Sequence, residues 1–397
     1  VNPGSNSGSY PAPASVEKIG RIGLAAGVVG LVLLAAGFAT NRDQLFRSYL
    51  TGYMWMLGIT GGALALLLLH HVTRGAWGVM VRRILEAAAN PLTLGFAAVA
   101  FLPIALGTHS LYEWTHGEVV AGDAVLAYKK PWLNTPSFLT RSAIYLALWL
   151  LLAWVLGRLS AKQDETGDRT LALWMQRWAA GGLVVYFLSM TLASFDWLMS
   201  ITPHWYSTIY GLYVIIGQAV AAMAFVALAA LVLGDGDSPA IPFQPRHLHD
   251  YGKLLFAFVC IWAYFGYSQF IIIWSGNLPE ETAFYASRLN GAWKATTVVL
   301  VLLHYALPFA LLLSRDRKRS AKALAPVAAL LLFARWLDLH WLVAPAFSRD
   351  AFTLHWLDLA APLALGGIWL FLFSLRLKAR PLLPANEPFL KEALAHD

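Results

Sequence analysis

The chain has 397 residues, 58% hydrophobic and 13% charged, whereas soluble domains carry about 25% charged residues, so a water-soluble globular protein is excluded and a polytopic membrane protein is indicated. The formal net charge of +7 does not mark a nucleic-acid binder, because the basic residues concentrate in connections flanking one end of the apolar segments. One cysteine, Cys260, excludes an internal disulfide, a CxxCH haem attachment and an iron–sulfur cluster held by this chain alone.

Residues 1–15, VNPGSNSGSYPAPAS, are rich in Gly, Ser, Pro and Asn and read as a disordered lead-in. The first apolar run, Ile19 to Ala39, is long enough to span and lacks an A-x-A-like cleavage site behind it, so a retained helix is expected. Apolar runs of about 20 residues or more follow at 46–72, 90–108, 138–158, 172–196, 205–233, 251–275, 292–314, 322–343 and 356–376. The expected fold is therefore an all-α integral membrane protein with ten helices.

Lys and Arg accumulate on the cytoplasmic side of membrane proteins. Of the 29 here, twenty flank one side (among them Lys18, Arg82, Arg158, Arg317 and Arg376), eight flank the other, Arg349 included, and Arg335 lies inside the ninth helix. Both termini are thus expected in the cytoplasm, with Asp196, His204, His109 and His355 outside and His70 and His71 at the cytoplasmic side.

SFDWLMSITPHWYS, joining the fifth and sixth helices, is echoed by WLDLHWLVAPAF and TLHWLD around the ninth and tenth. In both, an Asp near an outer helix end precedes a His-Trp opening the next helix. Four crossings return a repeat in the same orientation, so two parallel four-helix bundles are expected, helices 2–5 (46–204) and 6–9 (205–345), with helix 1 (16–45) and helix 10 plus tail (346–397) outside them. The longest outer connection, His109 to Ser137, mixes aromatics with both charge signs and reads either as a docking surface for a soluble partner or as an interfacial loop. WGVMVRRILEAAANP, from Trp77, suggests a short helix lying in the headgroups.

Polar side chains that interrupt hydrocarbon-spanning helices are functional candidates. Arg335 and Asp338, three apart, share a helical face and can pair, either to lock helices or to transfer protons. His304 lies four residues before Pro308, which cannot donate to the carbonyl of residue 304, so the backbone is open where an exchangeable imidazole sits. Tyr264 and Ser268 share a face and are expected to bridge toward Arg335 or His304. Of His70 and His71, at most one is expected to face the interior. Mid-helix His pairs for haem are absent, as are HExxH, GxSxG and Gly-rich phosphate loops, and no metal site is expected.

The stretches SFDWLMSITPHWYSTIYG, LYEWTH with KKPWLN, and LLFAFVCIWAYFGYSQFIIIWSGNLPEE resemble the ActF-type membrane subunit of bacterial alternative complex III, a quinol:electron-acceptor oxidoreductase, within the broader NrfD/PsrC-like family. The resemblance implies a bacterial inner-membrane subunit without a metal or covalent cofactor. It implies assembly with a homologous quinol-binding membrane subunit, an iron–sulfur protein and c-type haem subunits. Quinol, menaquinol or ubiquinol, is then a ligand of this chain or of its paralogue. Asp196, His204, His304, Arg335, Asp338, His70, His71, Tyr264 and Ser268 become proton-transfer candidates, and Asp196, His204, Trp205 and His109 quinone-binding candidates. The competing expectation is a proton-coupled secondary transporter, disfavoured because Pro308 has no counterpart in the fourth helix.

Overall fold

The computed structural model describes residues 10–234, 240–348 and 352–395. Among these there is no strand, and ten helices are long and apolar enough to cross a membrane: α1 (Ala14–Thr40), α2 (Arg42–Thr73), α3 (Ala76–Leu106), α4 (Thr135–Thr166), α5 (Thr170–Ile201), α6 (Tyr210–Gly234), α7 (Pro245–Gly276), α8 (Gly291–Leu313), α9 (Ala321–Ala346) and α10 (Leu357–Lys378). Every apolar run read from the sequence is one of these spans. Of the expected lead-in, residues 1–9 lie outside the described residues, as does Arg349, while α1 already begins at Ala14.

Helices α2–α5 form one bundle and α6–α9 the other, meeting through α2 and α6, whose apolar windows are 89% and 83% buried. Polar ties cross the seam: Trp55 Nε1 donates to Leu332 O at 2.9 Å and Tyr186 Oη to Gln218 Oε1 at 2.7 Å. Such bonds orient helices that lipid surrounds, because hydrocarbon offers a polar group no other partner. Outside the bundles, α1 lies along α10 through a stripe of Gly20, Gly23, Gly27, Gly30 and Gly37. At Gly30 a Cβ would collide with the backbone of Ala364, so the approach requires glycine. The two chain ends meet at one end of the molecule, where Leu382 N–H donates to Tyr10 O at 2.7 Å.

Two spans are irregular. α3 begins with the 3₁₀ turn Ala76–Val81 and continues as Arg82–Ala88, Pro91–Val99 and Leu102–Leu106. Pro91 and Pro103 have no N–H to continue the ladder, and Asn90 restarts it by accepting from Leu92 N at 3.0 Å. The stretch from Trp77 is built into the start of α3, with its arginine pair turned inward. Arg82 and Arg83 are 0% and 4% exposed, drawn inward by Glu86, Asp164 and Glu387. In α8, Leu302–Ala306 form a π-helical turn immediately before Pro308, which is the opened backbone that the proline implied.

Candidate functional site

Asp338 on α9 is fully buried and accepts three hydrogen bonds: from Tyr213 Oη of α6 at 2.5 Å, from Trp262 Nε1 of α7 at 3.2 Å, and from Arg335 Nη1 one turn below it. The expected Arg335–Asp338 pair therefore forms. Arg335 lies against Gly217 of α6, where a Cβ would occupy the space of the guanidinium. Among the described residues its Nε and Nη2 have no hydrogen-bond partner. His304 stacks on Trp262 with ring centroids 3.9 Å apart, fully buried, and neither ring nitrogen has a partner. Unpaired polar atoms in a dry interior cost about 1–3 kcal/mol each, so this cluster is maintained against a stability cost.

Trp262 and Tyr213 do more than hold the carboxylate: both also line a cavity of about 510 Å³ between α7, α8 and the short helix Pro279–Leu289. Its wall is aromatic, with Tyr264, Tyr267, Tyr285, Tyr305 and Trp341, and its polar groups are few. Gln269 is fixed there by Ser207 Oγ at 2.9 Å and donates to Tyr285 Oη at 3.0 Å. Because Tyr285 Oη accepts that bond, its own O–H remains a donor, and burial pushes its pKa up to about 12, so it stays protonated at neutral pH. A largely apolar cavity of this size with a few fixed polar groups has the general character of a small-molecule site.

Tyr264 lines this cavity but is 64% exposed, and neither it nor Ser268 bridges to Arg335 or His304. Trp262 takes that place. The signal was present in the sequence: Leu248, Tyr251, Leu255, Val259, Trp262, Gln269 and Ile273 recur at helical spacing and form the buried face of α7, and Tyr264 falls off it.

The outer candidates do not converge. Asp196 is fully buried, chelated by Arg141 (Nε to Oδ2 2.8 Å, Nη2 to Oδ1 2.7 Å) and bonded by Trp132 Nε1 at 3.1 Å and Tyr145 Oη at 2.9 Å. His204, half exposed, instead meets Asp123 Oδ2 at 2.6 Å. Trp205 stacks on Phe284 at 3.9 Å, and His109 stacks on His116 at 3.9 Å. Arg141, Trp132 and Asp123 were not singled out in the sequence, because their partners are 55 to 81 residues away.

At the opposite end both His70 and His71 are buried, contrary to the expectation that only one would be. Helix α2 is enclosed on all sides, so two adjacent directions both face protein. They adjoin a network in which Glu86 accepts from Arg82, Arg83 and Ser160, and the C-terminal segment closes over it through Glu387 and Asn386. Among the described residues no group of three or more His, Cys, Asp and Glu side chains could hold a metal ion.

Fold and site together define a multi-pass helical membrane protein with an aromatic cavity adjoining a buried carboxylate, arginine and histidine. No protein-family model matches the chain, and no curated protein matches it.

Proposed function

We propose that this chain is the membrane subunit of a quinol-oxidising electron-transfer complex of the alternative complex III type, and that it contributes a quinone pocket joined to a proton path. The observation carrying the reading is that Tyr213 and Trp262 form part of the cavity wall and also hold Asp338. A quinol losing two electrons releases two protons. A hydroxyl at this wall is one hydrogen bond from a carboxylate, with the fixed charge of Arg335 beside it and His304 behind it as the next group able to take a proton. Tyr285 O–H is the donor available to a quinone carbonyl.

The electrons leave to an iron–sulfur protein and c-type haem subunits, and the partner face is the outer connection 109–137, folded into short helices against the turn after α5 by Lys129 Nζ to Pro203 O at 2.5 Å and by Asp123 to His204. The basic ends support a placement of both termini in the cytoplasm, and the resemblance supports the bacterial inner membrane. Against the transporter reading, the interrupted spans are α3 and α8, the second helix of one bundle and the third of the other, so they are not repeat-related.

Purification from the native membrane in mild detergent tests this. The chain should elute with haem-containing partners and extractable quinone. Elution alone or as a homo-oligomer, without haem or quinone, would support the transporter instead.

A further inference from the structure

Where the twenty basic residues gather, a cleft of about 330 Å³ opens between α3, α4 and α10, and Arg158, Arg376, Arg380 and Asn90 line it. At Pro91 and Trp154 it passes into an open apolar groove of about 400 Å³ that includes Leu150 and Leu151. None of the three arginines forms an ion pair among the described residues. Arg376 Nε is buried without any hydrogen-bond partner, and the Arg158 guanidinium lies over Trp154 at 4.2 Å. The one carboxylate on the wall, Glu86, is committed to Arg82, Arg83 and Ser160. Three cations therefore converge with no carboxylate paired to them among the described residues, at the mouth of an apolar groove.

We propose that this cleft binds an anionic phospholipid, its phosphate on Arg158, Arg376 and Arg380 and an acyl chain along Leu150, Leu151 and Trp154. Charge complementarity sets the headgroup, and the groove distinguishes a lipid from a soluble anion. The lipid adds to the direct packing of α10 on α3 and bridges both to α4.

Native mass spectrometry of the full-length protein in detergent, titrated with chain-matched phosphatidylglycerol, cardiolipin and phosphatidylcholine, tests the site. The anionic lipids should bind at roughly tenfold or lower concentration than phosphatidylcholine. Each of Arg158→Gln, Arg376→Gln and Arg380→Gln should cut that preference by roughly fivefold, whereas Lys253→Gln, at the same end but off the cleft, should leave it. Equal binding of phosphatidylcholine by the unaltered protein overturns the proposal whatever the variants do. So does displacement of the lipid by millimolar inorganic phosphate, which would assign the arginines to a soluble anion.

Discussion

Of the three buried aspartates among the described residues, Asp196 and Asp338 each accept from an arginine, a tyrosine hydroxyl and a tryptophan indole, but the arginines differ in what remains of them. Arg141 spends its other nitrogen on Trp132 O at 3.0 Å and Ser137 Oγ at 2.5 Å. Arg335 keeps two nitrogens unpartnered beside an unpartnered His304. Asp196 is thus saturated and serves stability, while Asp338 has neighbours able to accept a change of charge. Asp196→Asn should lower thermal stability by about 3–5 kcal/mol, since Arg141 is left uncompensated, with quinol oxidation per folded complex retained. Asp338→Asn should abolish most turnover. Tyr213→Phe, which removes one bond and no charge, should lower turnover in a complex that still folds. A thermal melt and a quinol-oxidation assay on each variant separate the two aspartates, and equal losses of turnover would refute the division. Both aspartates were legible in the sequence as ionisable residues in apolar runs. Their partners were not, since long-range docking of α4 on α5, and of α6 and α7 on α9, decides them.

Among the elements, α8 carries the local device. The π turn at Leu302–Ala306 exists because Pro308 removes the donor that would satisfy the carbonyl of His304. Pro308→Ala supplies that donor, so the turn should relax to α-helix and rotate His304 by about 100° relative to the preceding segment. Cryo-microscopy of the variant should show His304 off Trp262, and an unchanged stack would contradict the cause assigned to it. The outer connection has a pH signature. Backbone N–H of Leu126 and the imidazole of His204 hold the Asp123 carboxyl below its usual 3.8. A depressed acid supports the fold above its unfolded value and loses that support as pH falls through the folded one. Hydrogen exchange over 117–129 should therefore accelerate below about pH 3.8, and exchange that is flat through that range would count against the tether. The proline made the α8 break readable in advance, whereas the short helices of the outer connection were not, because mixed composition gives no period.

For the whole molecule, the even alternation of ten spans explains both the segregation of basic ends and the return of the C-terminal segment to Tyr10. The number of spans follows from apolar length. What the sequence hides is the cavity. Its walls come from five separated segments, and Tyr213, Trp262 and Tyr285 look in one dimension like ordinary core and belt aromatics. That the cavity holds a quinone, with Asp338 as first proton acceptor, is most directly tested by photo-crosslinking an azido-quinone in the purified intact assembly and mapping the labelled peptides. Label on 262–270, 285 and 297–305, competed by unmodified quinone, is the expected result. Competed label confined to the peptides holding Asp196, His204 or His109, with none at the cavity, would contradict it.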